Sequence, residues 1–405
     1  MLKYFRLPLL FLFIASAIGV FLRWQFISPT PGVNYTFILH AHSHIMFLGW
    51  VFNALYIAFT ISYVEHGEHK IFQNLFIVLQ FLIVGMMISF PLEGYGLYSI
   101  LFSTLHTFGA ILFVILFYKK TKHATTISIW YARTALIFFT ISTLGPFSLG
   151  YLMSNGMGQS QWYYFSIYYY LHFQYNGFFI FGIFSLFFGF LERKEIQYNL
   201  EKAKGIGKLM AFSCVPAYLL SILWSKPGLT FNVIGGLAAI IQLFAFAEFF
   251  RLLKINRKAI QHSICKYSYL YLFIVLIAFA LKLLLQFLSS HPHLAQLAYE
   301  LRPVVIAYLH LVLLGVISLF LFSWYLEMNF IGKTSGKKIL ILFLISFTGM
   351  ETCLVLTPWW STISRYLLLS ATQCIFFFSV LLFLSCFLLF CSSLTKKPDK
   401  NHVLN

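Results

Sequence analysis

A chain of 405 residues with 60% hydrophobic, 20% aromatic and only 10% charged residues is not a soluble globular protein, because such proteins carry about 25% charged residues. Its formal charge of +17 comes from Lys and Arg in short segments between apolar runs. That placement indicates membrane topology and contact with anionic lipid head groups, and no nucleic-acid partner is expected. The sequence therefore predicts an all-α, polytopic membrane helix bundle embedded in a lipid bilayer.

Twelve apolar segments come close to the length of about 20 residues that a helix needs to cross a bilayer. We predict spans over residues 7–27, 37–64, 71–92, 97–118, 127–152, 164–191, 208–225, 229–250, 267–288, 303–326, 338–358 and 364–392. Ala15-Ser16-Ala17 comes too early in the first apolar run for signal cleavage, so we expect a retained first helix. Because no long polar linker interrupts the chain, we predict a single membrane domain over residues 1–405.

The basic residues between the spans predict the orientation. All but six of the 28 Lys and Arg lie on one side if the N-terminus is cytoplasmic. Because cytoplasmic loops are enriched in Lys and Arg, both termini are predicted to be cytoplasmic, in a bacterial inner membrane. The six exceptions are Arg23, Lys226, Arg302 and Arg365 toward the outer side, and Arg133 and Lys282 within spans.

Histidines recur at one predicted depth. His40, His42 and His44 open span 2, and His106, His172 and His310 lie about two turns into spans 4, 6 and 10. A structural hydrogen bond explains one such residue, but a shared metal site explains six, because intramembrane polar groups are costly and imidazole is the commonest metal ligand. His40 and His44 share one helix face and His42 points almost the opposite way, so the three cannot bind one ion.

A motif of His and Gly five residues apart recurs in every fourth span. It appears as His44 with Gly49, His172 with Gly177 and His310 with Gly315. This recurrence predicts three pseudo-repeated four-helix units. Glycine in such a helix allows another helix or a flat ligand to approach the backbone closely.

Further polar side chains lie near the predicted histidine layer. Gln174, Tyr175 and Asn176 follow His172, and we expect them to line a cavity or to orient a histidine ligand. Glu351 in span 11 could bind metal, orient an imidazole or relay protons, and a pair with Lys282 is an equal alternative. The chain has no Walker A, G-x-G-x-x-G, H-E-x-x-H or C-x-x-C-H motif, so no nucleotide site or covalent c-type haem is expected.

These features resemble the catalytic subunits of haem–copper oxidases and nitric oxide reductases, which have twelve spans in three pseudo-repeated units. His42-x-x-x-Met46 is similar to the H-G-x-x-M around that family's low-spin haem ligand, and His310 lies on the helix that supplies the opposite axial ligand. His172 with Tyr175 is similar to the copper-binding histidine and nearby tyrosine of helix 6. Span 7 lacks the family's histidine pair, span 10 has one histidine instead of two, and His106 has no counterpart.

A second resemblance is to the NnrS family, twelve-span haem- and copper-containing proteins of nitric oxide metabolism. His40-Ala41-His42, followed by residues 46–49, is similar to that family's W-H-A-H-E-M-L-F-G stretch. Both resemblances imply a haem-binding oxidoreductase, with copper or iron as further metals and with redox partner subunits.

On this hypothesis, His42 or His44 pairs with His310 on haem, and His106 and His172 form or flank a second metal position. The repeat favours His44 as the ligand, and the His-x-x-x-Met match favours His42. Two alternatives stay open. One is a non-haem iron oxygenase that uses three or four histidines and acts on a lipid such as a carotenoid. The other is a non-enzymatic transporter or a protein that delivers metal or haem.

Overall fold

A computed structural model describes residues 1–158 and 160–396. Residues 397–405, part of the C-terminus that we predict to be cytoplasmic, lie outside the described residues. The described residues form helices and turns and contain no β-strand. Among the described residues, twelve helices are long and apolar enough to cross a membrane, which confirms the predicted all-α, polytopic membrane bundle.

The twelve spans alternate with short connections. They run Leu2–Trp24 (span 1), Tyr35–Tyr63 (span 2), His66–Glu93 (span 3), Leu97–Lys120 (span 4), Ile127–Ser154 (span 5), Gln161–Arg193 (span 6), Leu200–Ser225 (span 7), Leu229–Ile255 (span 8), Lys266–Leu288 (span 9), Arg302–Glu327 (span 10), Gly336–Trp360 (span 11) and Leu367–Leu394 (span 12). Short helices Arg257–Ser263 and Pro292–Glu300 lie in two of the connections.

Several spans begin before their apolar core because capping residues fix their ends. Span 7 starts at Leu200, eight residues before the predicted boundary of 208, and the Asn199 side chain accepts a hydrogen bond from the Lys202 amide. Span 6 starts at Gln161, where the Ser160 hydroxyl accepts from the Tyr163 amide. Such caps satisfy amide groups that the first helical turn leaves unpaired, so the helix continues into charged sequence beyond the hydrocarbon core.

Spans 2, 6 and 10 each contain a π-helical segment between two α-helical parts. The segments are Ile45–Phe52, Phe173–Phe179 and Leu311–Ser318. These three spans are also the most buried: 94%, 100% and 67% of the residues in their most apolar stretches are buried inside the protein, compared with at most 44% in the other nine spans. Single-turn π-helical segments are rare and occur frequently at functional sites.

The contacts of the chain divide it into two compact units. The first contains residues 1–122 and the chain from Leu321 onward, and the second contains residues 123–320. A single membrane domain over residues 1–405 stays a prediction. In the first unit, span 1 packs on the π-helical segment of span 2, span 3 packs on span 4, and span 11 packs on span 12.

The second unit contains the same two kinds of helix pair. Span 5 packs on the π-helical segment of span 6, span 7 packs on span 8, and span 9 packs on the π-helical segment of span 10. Two kinds of helix pair, one with a π-helical segment and one without, therefore recur at intervals of four helices, which is the spacing of the predicted four-helix repeat.

Exposed apolar side chains mark the surface that faces lipid. Phe81 of span 3 is 72% exposed, whereas Phe72 and Phe76 of the same span are buried. Leu92 and Leu97 are exposed in the same way. Contiguous apolar surface of this kind is stable in a bilayer and not in water.

Candidate functional site

His40 and His44 of the first unit lie on one face of span 2. The His44 ring stacks on Phe90 with ring centroids 4.2 Å apart, and the His40 ring lies 4.5 Å from that of Tyr95. Nδ1 of His44 is 2.9 Å from the carbonyl oxygen of His40. Because a carbonyl only accepts, Nδ1 carries the proton and Nε2 carries the lone pair. Metal-binding imidazoles are commonly oriented by such a hydrogen bond.

His42 occupies the opposite face, as the helical spacing predicts. Its Nδ1 donates to the Ala15 carbonyl oxygen of span 1 at 2.9 Å. Gly19, one turn further along span 1, leaves room for the ring, since a methyl group there would lie 3.2 Å from the His42 Cε1. Sequence reasoning missed this contact, although Ala15 and Gly19 form a small-residue pair one turn apart.

His106 of span 4 has the least satisfied imidazole of the first unit. The side chain is 1% exposed, and its Nε2 is buried without a hydrogen-bond partner. The ring meets the edge of Phe52 at 5.4 Å and lies within electrostatic range of His44. A buried polar atom left unsatisfied costs about 1–3 kcal/mol. This nitrogen is therefore a candidate ligand atom.

His172 of the second unit uses both ring nitrogens. Its Nε2 donates to the Cys214 carbonyl oxygen of span 7 at 2.8 Å, and its Nδ1 accepts from the Asn176 amide at 3.1 Å. A metal at either nitrogen would displace one of these bonds. The geometry therefore links spans 6 and 7 through His172, and the predicted role of this residue as a metal ligand stays a prediction.

The three polar residues after His172 have different partners. The Asn176 amide donates to Nδ1 of His172 at 3.1 Å. Gln174 donates to the Ser142 hydroxyl of span 5 at 3.0 Å, and Tyr175 is buried and lies within electrostatic range of Ser221 of span 7. These contacts tie span 6 to the helices on either side of it.

The repeated glycines allow helices to approach each other closely. A methyl group at Gly49 would lie 2.8 Å from the Phe11 Cβ of span 1, and one at Gly177 would lie 2.5 Å from the Phe138 Cβ of span 5. At these two positions the neighbour is a helix and not a flat ligand. Gly315 lies in the corresponding π-helical segment of span 10.

Glu351 and His310 are placed in different compact units. Glu351 interacts electrostatically with Arg23 of span 1, a partner that sequence reasoning missed. His310 ends the α-helical part of span 10, directly before the π-helical segment that starts at Leu311. The pairing of His42 or His44 with His310 stays a prediction, as does a pair of Glu351 with Lys282.

The donor groups restrict the kind of metal centre. Within residues 1–158 and 160–396, no three His, Cys, Asp or Glu side chains converge so that they could hold a metal ion. A three-histidine copper or iron centre stays a prediction. Haem would need only one or two protein ligands, because the porphyrin supplies four nitrogen ligands.

Comparison of the chain with protein-family models and with curated proteins finds no match. The class that its structure defines is an all-α, integral membrane protein with twelve candidate spans.

Proposed function

We propose that this protein is a histidine-liganded membrane metalloprotein that binds haem in its first compact unit and takes part in redox chemistry of oxygen or nitric oxide. The observation that carries the proposal is the buried, unpartnered Nε2 of His106 within electrostatic range of His44. Nδ1 of His44 donates to the His40 carbonyl oxygen, so the unprotonated Nε2 of His44 is a second candidate ligand. Both are neutral imidazole nitrogens, the form that binds metal.

Haem would supply one-electron redox chemistry and a binding position for a diatomic gas. The residues of this chain would hold the ligands and exclude water. Phe90 stacks on His44, Tyr95 covers His40, and Phe52 meets the edge of His106. An apolar enclosure of this kind keeps imidazole neutral and controls solvent access to the metal.

The orientation forms part of the proposal. We infer a bacterial inner membrane with both termini cytoplasmic, because all but six of the 28 Lys and Arg then face the cytoplasm. In this orientation span 2 starts on the outer side, and His40, His42 and His44 lie near it. A reporter fused after Leu394 would be active only if it folds in the cytoplasm, and the opposite result would reject this topology.

The decisive experiment is an optical spectrum and metal analysis of the purified protein and three variants. We expect a haem Soret band in the wild type, loss or shift of the band in His44→Ala and His106→Ala, and no change in His123→Ala. His123 is the matched control because it is an exposed histidine in a turn. Added imidazole is expected to restore the band in His106→Gly if the side chain acts as a ligand.

Three results would contradict the proposal. Wild-type protein without haem absorbance and without bound iron or copper would reject a metalloprotein. Iron without a haem spectrum would select the non-haem oxygenase. Equal spectra in all three alanine variants would show that haem is bound elsewhere.

A further inference from the structure

Lys282 of span 9 and its polar neighbours in the second compact unit have no part in the proposed haem site. We propose that spans 8 and 9 enclose a water-filled half-channel that leads from the Leu288 end of span 9 to Lys282 and admits protons. The ligands of this site are water and the proton. The inference does not depend on haem.

Lys282 lies in an apolar span and is 2% exposed. Its Nζ donates to Gln286 Oε1 at 2.5 Å. An ammonium group has three donors, and one amide oxygen satisfies only one of them. The polar side-chain contact of Lys282 among the described residues is the one to Gln286, and no carboxylate there pairs with it.

A buried lysine without a carboxylate needs another source of solvation. A charged lysine within a membrane helix is costly and is usually paired or hydrated. Internal water commonly satisfies buried polar groups and makes two to four hydrogen bonds. Water is the group that would satisfy the remaining donors of Lys282.

Polar groups continue from Lys282 to the end of the helix. Lys282 and Gln286 lie one turn apart and so share one face of span 9, and Ser290 follows in the turn after the helix ends at Leu288. On span 8, Gln242 accepts from the Gln286 amide at 3.0 Å, and the Asn232 amide donates to the Ser290 carbonyl at 2.8 Å. The two helices thus form a polar seam from Lys282 to the membrane surface.

Small and apolar residues define the walls of this seam. Gly236 of span 8 lies so close to the end of span 9 that a methyl group there would be 3.2 Å from the Ser290 Oγ. At the same depths on the other face of span 9, Leu281 and Leu285 are 43% and 38% exposed. Polar atoms are therefore confined to the side of span 9 that faces span 8.

The deep end of the seam carries the other titratable groups that face Lys282. Cys214 of span 7 and His172 of span 6 both lie within electrostatic range of its ammonium group. Asn176, which holds His172, keeps a buried Oδ1 without a hydrogen-bond partner. Water that reaches this end of the seam would donate to that oxygen, and it would accept from an ammonium group.

The reactivity of introduced cysteines toward a water-soluble reagent shows whether the seam contains water. Ser290→Cys, Gln286→Cys and Lys282→Cys are compared with Leu285→Cys and Leu281→Cys, which lie at similar depths on the lipid face. A membrane-impermeant, charged methanethiosulfonate is applied to right-side-out and to inverted vesicles. The thiolate is the reacting form, and we expect it to form readily only where water reaches the cysteine.

We expect the three cysteines of the seam to react at least tenfold faster than the two lipid-facing cysteines, in the order Ser290, Gln286, Lys282. Background from the six native cysteines is measured on the unmodified chain. Reaction of Gln286→Cys and Lys282→Cys as slow as that of Leu285→Cys would overturn the half-channel.

Modification of the native lysine provides a test that needs no substitution at Lys282. Reductive methylation with formaldehyde, read by peptide mass spectrometry, is expected to label Lys282 in the wild type. Gln286→Leu, which closes the seam, is expected to lower that labelling at least fivefold, and Gln261→Leu, an exposed control, is expected to leave it unchanged. An unlabelled Lys282 in the wild type, or equal labelling in both variants, would show that the seam is dry.

Discussion

Replacing Gly177 by alanine tests whether the repeated glycine is required for helix contact. The added methyl group would lie 2.5 Å from Cβ and 2.6 Å from Cγ of Phe138. Because carbon atoms rest at about 3.5–4.0 Å, span 5 would have to move by about 1 Å. Overpacking of this kind costs about 1–3 kcal/mol, against a gain of about 1 kcal/mol when alanine replaces glycine in a helix.

Gly205→Ala is the matched control for that substitution. It adds the same methyl group in span 7, where no atom lies within 4 Å of the new carbon. The difference between the two variants removes the helix-propensity term and is expected to be about 1–3 kcal/mol. Unfolding in mixed micelles with increasing sodium dodecyl sulfate, followed by circular dichroism, measures both variants.

A double-mutant cycle identifies Phe138 as the partner. Phe138→Ala removes the atoms that the methyl group meets, so Gly177→Ala should be far less harmful in that background. We expect a coupling free energy of about 0.5–3 kcal/mol, the usual range for side chains in contact. Additive effects, or a Gly177→Ala variant as stable as Gly205→Ala, would refute the close-packing role of the motif.

Two further substitutions test polar contacts of the second unit. Asn176→Leu removes the donor to Nδ1 of His172. We expect it to lower the free energy of unfolding by about 1–3 kcal/mol in the same assay and to leave the haem content unchanged. An unchanged unfolding midpoint would show that this hydrogen bond does not stabilise the protein. Glu192→Gln weakens a carboxylate that accepts from the Ser128 amide at 3.0 Å and from its hydroxyl. We expect Glu192→Gln to lower the free energy of unfolding by about 1 kcal/mol, because a helix cap is weakened. Glu195→Gln, at an exposed position, is expected to leave the free energy of unfolding unchanged.

Local sequence patterns were sufficient to predict the membrane-spanning helices and to assign the histidines of span 2 to two faces. Apolar length set the number of spans, and the helical period separated His42 from His40 and His44. The start of span 7 could not be predicted in this way, because a hydrogen bond from the Lys202 amide to the Asn199 side chain, and not hydropathy, determines where the helix begins. Hydropathy averaged over a stretch of residues does not detect such a cap.

The partners of the histidines were beyond sequence reasoning, because most of them are backbone atoms. The acceptor for His172 is the Cys214 carbonyl, 42 positions away, and the acceptor for His42 is the Ala15 carbonyl, 27 positions away. Every residue except proline carries the same amide and carbonyl groups, so residue identity gives no sign of which carbonyl will be near. The histidines could be recognised as a set, but their roles required the three-dimensional contacts.

The spacing of the His-Gly motif acquires a physical meaning from the π-helical segments. In an α-helix, residues five apart are about 140° from alignment, so the motif does not define one face. A π-helix closes its hydrogen bonds between residues five apart, and each segment begins directly after the histidine. In spans 2 and 6, the glycine of that segment is where a phenylalanine of the preceding span approaches the backbone. The motif therefore describes a wider helical turn and the close contact beside it, and this accounts for its presence in span 6, where the histidine is fully hydrogen-bonded.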